Sequence, residues 1–192
     1  MNVQVHEKKR VFDQFFKVDQ VRLQYERFDG DMTPVVTRLC FERGDSVAAV
    51  IFDADSNEVL LVNQFKYPAF EKGPGWITEL IAGMIDNGET PEAAMRRELF
   101  EETGFRAQRL EHISTFYVSP GGSSERIILF FAEVRDADHV NSGGGLRSEG
   151  EDIKLIRIPL RDVEHQLSNN QIADAKTIIG LMWLQKRLLQ SR

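Results

Sequence analysis

Apolar residues between Thr90 and Gly104 recur at helical spacing: Met95 and Leu99 stand four apart, and Ala94 and Phe100 widen the stripe. The segment carries its own stop signals. Thr90 is placed to cap the helix, Pro91 suits its first position, Glu92 complements the dipole of the first turn, and Gly104 fits the left-handed residue past the end. A second stripe, Ile178, Leu181, Met182, Leu184 and Leu188, predicts a helix from about Asp174 to Gln190, and a shorter one falls near Arg161–Leu167. The stripe reads as core packing, Trp183 included.

Elsewhere the pattern is that of strands. These are expected over Val11–Val18, Val21–Phe28, Val35–Glu42, Ser46–Phe52, Val59–Phe65, Trp76–Ala82, Glu111–Val118, Arg126–Val134 and Ile153–Ile158. Asp29-Gly30-Asp31 marks a turn, and Asp53-Ala54-Asp55-Ser56-Asn57 a hairpin-like connection. Residues 1–45 thus predict a small antiparallel β subdomain with little core of its own, and residues 46–192 a larger domain. Two segments are irregular. YPAFEKGPG, Tyr67–Gly75, is rich in turn residues; DHVNSGGGLRSEGED, Asp138–Asp152, is longer than a plain connector and joins Gly143–Gly145 to Glu149, Glu151 and Asp152.

The helix after Thr90 has a second face. Glu98, Glu101 and Glu102 project from it together, with Arg97 just before them. Like charges at this spacing repel by about 0.2–0.5 kcal/mol per pair, so a solvated acidic face is one reading and a bound cation the other. Several carboxylate oxygens converging on one point suit a hard divalent ion, Mg²⁺ or Mn²⁺.

Charge and cysteine use narrow the classes. A net charge of −6 over 192 residues lacks the basic face of a general nucleic-acid binder, yet allows an anionic substrate once metal is bound. Cys40 is the single cysteine, which excludes an intrachain disulfide and a multi-cysteine zinc site. The four histidines, His6, His112, His139 and His165, show no metal-ligand spacing. The first residues lack the apolar run of a signal peptide, and the longest apolar stretch, Ile127–Ala132, is far too short to span a bilayer. The expectation is a cytoplasmic protein with neither nucleic acid nor membrane as partner.

Gly83, five residues, Glu89, seven residues, Arg97-Glu98-Leu99, one residue, Glu101-Glu102, one residue, Gly104-Phe105: this spacing resembles the complete Nudix box. Similarity to the ADP-ribose pyrophosphatase branch extends further. Ser119–Arg126 resembles that branch's downstream segment, with Pro120 sixteen positions past Gly104, and the triple-glycine loop ending in Glu149-Gly150-Glu151-Asp152 resembles its catalytic loop. GDP-mannose hydrolases share that loop, so the choice of sugar nucleotide stays open. The resemblance implies an α+β protein, an α/β/α sandwich with a mixed β-sheet between helices. It also implies an N-terminal antiparallel β subdomain exchanged across a homodimer.

The activity so implied is hydrolysis of a nucleoside diphosphate sugar with two or more Mg²⁺ or Mn²⁺ ions, ADP-ribose giving AMP and ribose 5-phosphate. Glu98 and Glu102 are the expected direct ligands, Glu101 a ligand or a residue behind one, the Ala82 carbonyl a backbone ligand, and Glu151 a further ligand from the loop. Arg97 orients the carboxylates or forms an ordinary surface ion pair. Glu149 is the candidate general base, a duty that in related hydrolases also falls to a box glutamate. Arg38 and Glu42 match the family's base-reading positions and equally suit an exposed ladder pair. Lys66 stands where an arginine often grips the diphosphate, and lysine lacks the bidentate fork. Glu125 faces the distal sugar in this scheme. A domain that binds ADP-ribose without cleaving it is the alternative of another class, and loss of box glutamates is what would point to it.

Overall fold

The computed structural model describes residues 1–190, the side chain of Glu149 excepted. The chain forms two compact units. One comprises Met1–Asp45 with Tyr117–Arg126, the other Ser46–Phe116 with the chain from Ile127 onward.

The first unit is built on a three-stranded antiparallel sheet in the order β1 (Val3–Asp13), β2 (Lys17–Tyr25), β3 (Val36–Glu42). This corrects the expected strands Val11–Val18 and Val21–Phe28. The chain turns within the first window, because Gln14-Phe15-Phe16 closes the β1–β2 hairpin, with Asp13 opposite Lys17. In β1 the HEKKR stretch dilutes the apolar alternation that marks a strand, and all its residues are exposed. Asp19 of β2 is buried and tied to Arg10 Nε at 2.5 Å and Lys8 Nζ at 3.0 Å. That clasp fastens β1 to β2.

The second unit is centred on a seven-stranded mixed sheet. Its strands are β4 (Ser46–Asp53), β5 (Glu58–Phe65), β6 (Trp76–Glu79), β7 (Ile81–Met84), β8 (Glu111–Tyr117), β9 (Arg126–Val134) and β10 (Lys154–Pro159). The order runs β10-β5-β4-β9-β8, with β6 paired to β5 and β7 to β4. β4 and β9 are parallel; β5, β6, β7 and β10 pair antiparallel with their neighbours. The helices are α1 (Tyr67–Phe70), α2 (Pro91–Thr103), α3 (Val163–Ser168) and α4 (Ala175–Gln190).

Alternation along β4 explains the layers. Val47, Ala49 and Ile51 pack into the cluster that holds Ala94, Met95 and Leu99 of α2. Ala48 and Val50 point the other way, into the cluster holding Leu181 and Leu184 of α4. The sheet therefore carries helices on both faces, the expected α/β/α arrangement, and β4 is apolar on both sides because both are covered. The expected single strand Trp76–Ala82 is two strands. Up to Glu79 the chain pairs with β5; from Ile81 it pairs with β4. Leu80 marks the change of partner, which a hydrophobic pattern does not record. The turn-rich Tyr67–Gly75 segment contains the short helix α1, with Pro68 in its first turn.

Candidate active site

The acidic helix forms as its signals predict. Thr90 Oγ1 accepts from the Ala93 N–H at 3.2 Å, and Gly104 ends the helix at φ 76°. β7 runs beneath its acidic face so closely that a β-carbon on Gly83 would overlap the Glu98 carboxylate. The glycine of the box is thus a steric requirement, and the carbonyl of Ala82 lies one residue from that contact.

Arg97 stands at the centre of the cluster. Its Nε and Nη2 donate to the two oxygens of Glu89 at 3.2 and 3.0 Å, its Nη1 donates to Glu98 at 2.7 Å and Glu101 at 3.3 Å, and its Nη2 also donates to the Met84 carbonyl at 3.1 Å. This fork binds α2 to the end of β7 and fixes Glu89, Glu98 and Glu101 at once, beyond what a surface ion pair does. The bidentate bond to Glu89 holds the guanidinium charged, while Arg97 pulls the Glu89 carboxyl below its usual range.

Glu102 differs from its neighbours. Only 2% exposed, it has an Oε2 atom without a hydrogen-bond partner among the described residues. Burial pushes its pKa well up, and the nearby charges of Glu98, Glu79 and Glu151 add to the shift. Burial also raises Glu98. A buried carboxylate without a donor costs free energy that a cation would recover. The donor set is all oxygen, the kind a hard divalent ion takes.

The glycine loop lies against the C-terminal end of α2. Gly144 N–H donates to the Glu102 carbonyl at 2.9 Å and Gly145 N–H to the Glu101 carbonyl at 3.0 Å, satisfying two of the helix's last carbonyls. A β-carbon on Gly143, at φ 59°, would come within 2.5 Å of the Glu102 carbonyl oxygen. Glu151 Oε2 accepts from the Leu146 N–H at 2.9 Å, which closes the loop on itself and sets this carboxylate beside the box. Glu98, Glu101, Glu102 and Glu151 are therefore gathered in one place. Glu149 falls in a short 3₁₀ turn, Arg147–Glu149, and its side chain lies outside the described residues.

The remaining predicted residues are spread over both units. Lys66 Nζ stands 3.5 Å from Glu79 Oε1, in the same unit as the box. Arg38, Glu42 and Glu125 belong to the first unit. Arg38 is exposed on β3 and donates to the Thr37 carbonyl at 3.1 Å. Glu42 accepts from Ser124 Oγ at 2.7 Å and from the Gly44 N–H at 2.8 Å, and the Ser124 bond lowers its pKa. Arg43 lies 3.6 Å from Glu125. Two residues escaped the sequence reading, Glu79 and Lys176. The sole sign was a charge at each end of an apolar run, and 97 residues separate them.

Among the described residues, the acidic ligand atoms that lie within 4.8 Å of one another are those of Asp53, Asp55 and Asp136, not those of the box glutamates. Two of those carboxylates are already engaged: Asp53 accepts from Arg157 at 2.6 Å and the Asp55 N–H at 3.0 Å, and Asp55 from Arg135 at 3.1 Å and the Asp136 N–H at 3.0 Å. Asp53 and Asp55 thus each face an arginine in this turn.

The model of the NUDIX domain matches residues 42–179 of the chain. The chain belongs to the NUDIX family. As a Nudix pyrophosphohydrolase it is 34% identical over 185 residues to the ADP-ribose pyrophosphatase of Escherichia coli (strain K12), covering 96% of this chain and 88% of that one. It is 33% identical over 189 residues to the GDP-mannose pyrophosphatase of Cronobacter sakazakii (strain ATCC BAA-894), with 97% of each covered. A solved structure described as an ADP compounds hydrolase superposes with a TM-score of 0.76 over 100% of this chain and 96% of that one, at 21% identity, and so matches the Nudix fold.

Proposed function

We propose that the protein hydrolyses the pyrophosphate bond of a nucleoside diphosphate sugar, with ADP-ribose as the favoured substrate and AMP and ribose 5-phosphate as products. The observation that carries this reading is the buried Oε2 of Glu102, without a hydrogen-bond partner among the described residues and close to the charges of Glu98, Glu79 and Glu151, with Glu98 packed against Gly83. Such a group is expensive in a purely structural role and useful in a cation site. Similarity to an ADP-ribose pyrophosphatase over nearly the whole chain supports the substrate class.

Glu98, Glu102 and Glu151, with the Ala82 carbonyl, hold Mg²⁺ or Mn²⁺ in this reading, and Glu101 joins them or orients them. Two or more such ions, when bound, neutralise the diphosphate oxygens and lower the pKa of an attacking water. The chain's own residues do the rest. Arg97 keeps the glutamates from splaying under their mutual repulsion. Lys66 attracts the diphosphate. Glu149 takes the proton as water oxygen bonds to phosphorus and the bridging oxygen leaves on the other phosphate. Arg38, Glu42 and Glu125 recognise base and distal sugar. Residues 1–45 act as the dimerising subdomain, which the exposed Val3, Val5, Val11 and Phe12 of β1 support. We place the enzyme in the cytoplasm; its single cysteine is half-buried and free.

GDP-mannose is the second reading, favoured by a GDP-mannose pyrophosphatase of nearly equal identity. Binding without cleavage is disfavoured, because every box glutamate is present. The experiment is incubation with ADP-ribose and GDP-mannose, each with Mg²⁺, Mn²⁺ or EDTA, and separation of the nucleotide products. AMP formed only with metal is the expected result. GMP formed faster moves the assignment to GDP-mannose, and tight binding with no product overturns hydrolysis.

A further inference from the structure

Helix α4 does more than cover the sheet. Asp174 caps it: Oδ2 accepts from the Thr177 N–H at 2.9 Å and from Thr177 Oγ1 at 2.6 Å. Thr177 Oγ1 in turn accepts from the Leu80 N–H at 2.8 Å, a buried bond between elements 97 residues apart. Beside it Lys176 Nζ donates to Glu79 Oε2 and, at 3.0 Å, to Asp174 Oδ1. Only 11% of the Lys176 side chain and 7% of that of Glu79 are exposed. One turn later Gly180 meets Val50 and Leu80 so closely that a β-carbon would come within 2.6 Å of the valine, which leaves the helix no room to slide.

Two bonds therefore run from the first turn of α4 to Glu79 and Leu80, the junction at which the chain passes from β6 to β7. That junction leads directly into Ala82 and Gly83. Glu79 also has a second contact. Its Oε1 has no hydrogen-bond partner among the described residues and lies 3.5 Å from Lys66 Nζ, and both residues act electrostatically on Glu102. Lys176 and Lys66 thus share Glu79, one on each carboxylate oxygen. With Lys176 holding Oε2, the carboxylate of Glu79 is fixed in orientation, and its Oε1 sets where Lys66 Nζ stands.

We propose that Lys176 is a positioning residue for the diphosphate: acting through Glu79, it holds Lys66 in reach of the substrate and fixes the β6–β7 junction. The inference rests on the reading of the site as a sugar-nucleotide hydrolase.

A double-mutant cycle on the full chain tests it, with Lys66→Met, Lys176→Met and both together, assayed on ADP-ribose and GDP-mannose with Mg²⁺. Lys176→Met raises KM about tenfold with kcat nearly unchanged, the pattern of lost ground-state binding. In the Lys66→Met background the same substitution changes KM by less than about twofold, because the two act in series. Effects that multiply instead make Lys176 a purely structural residue and overturn the proposal. Removing one partner of a buried pair leaves the other unpaired. Where Lys176→Met does not fold, Glu79→Gln with Lys176→Met takes its place, and a wild-type KM in that folded double variant equally overturns the proposal. Wild-type protein that cleaves neither sugar nucleotide defeats the parent reading and this one with it. Wild-type turnover with multiplying effects defeats this inference alone.

Discussion

Gly83 lies against Glu98 with no space for a methyl group between them. A hydrogen is all that separates β7 from the carboxylate of α2, and this sets how far the glutamate stands from the Ala82 carbonyl. Gly83→Ala must push Glu98 aside by an ångström or more. Displacement of this size in a catalytic group costs about 10²-fold in rate. The expected outcome is a folded protein with kcat/KM reduced by roughly that factor. Steady-state kinetics beside a circular-dichroism melt check it, and near-normal turnover would show that Glu98 is not a ligand.

The Arg97 fork predicts a different pattern. Lysine at this position keeps the charge and loses the geometry that spans Glu89, Glu98, Glu101 and the Met84 carbonyl. Arg97→Lys should lower stability by about 1.5–3 kcal/mol, the range for lost hydrogen bonds to charged groups, and lower turnover too. Urea unfolding of the metal-free protein measures the first. An unchanged midpoint would mean that Arg97 is the surface ion pair which its sequence position also allowed.

The sequence disclosed this helix and its site more fully than the sheets around it. Thr90, Pro91 and Gly104 are local signals, and the box is a local spacing, so a linear reading captures both. The same reading merged β6 with β7, because a strand that changes partners at Leu80 keeps its apolar pattern. It misplaced β1, whose Glu7–Arg10 stretch is charged and exposed on an open sheet. Glu79 and Lys176 could not be joined, since their bond exists only once α4 has folded back across the sheet. Asp19 was unremarkable in sequence and is the buried clasp of the N-terminal sheet.

That clasp has a pH dependence of known sign. Hydrogen bonds from Arg10 and then Lys8 hold the Asp19 carboxyl down from 3.8 to about 2. A group depressed in the folded state contributes stability above its unfolded pKa and loses it as pH falls through the folded one. The contribution is thus complete above about pH 4 and fades between there and pH 2. Asp19→Asn should be less stable than wild type at pH 7 and approach it near pH 2. Thermal midpoints across that range test this, and a constant gap would remove Asp19 from the acid response.

Glu149 is the candidate base, and its replacement separates chemistry from binding. Glu149→Gln should lower kcat by about 10²–10⁴-fold, the usual worth of a general base, with KM little changed. Raising the pH should restore part of the rate, since hydroxide then substitutes for the missing base. An unchanged kcat transfers the role to a box glutamate.

Glu102 gives the most direct test of the metal site, because its effect reverses when metal is added. In the metal-free protein the carboxyl is buried, its Oε2 lacks a donor among the described residues, and its pKa is raised. A group raised in the folded state stabilises most below its unfolded pKa, and stability falls as pH climbs through the folded value. Metal-free wild type should therefore lose stability from about pH 4.5 upward, and Glu102→Gln should flatten that slope and gain about 1–3 kcal/mol at neutral pH, the cost of an unsatisfied buried group. Mg²⁺ should reverse the order. Wild type gains stability with the ion by mass action, while the glutamine variant gains less and loses its turnover. Melts at pH 5 and pH 8, with and without Mg²⁺, read all of this. A glutamine variant that responds to Mg²⁺ as fully as wild type would place the ion elsewhere.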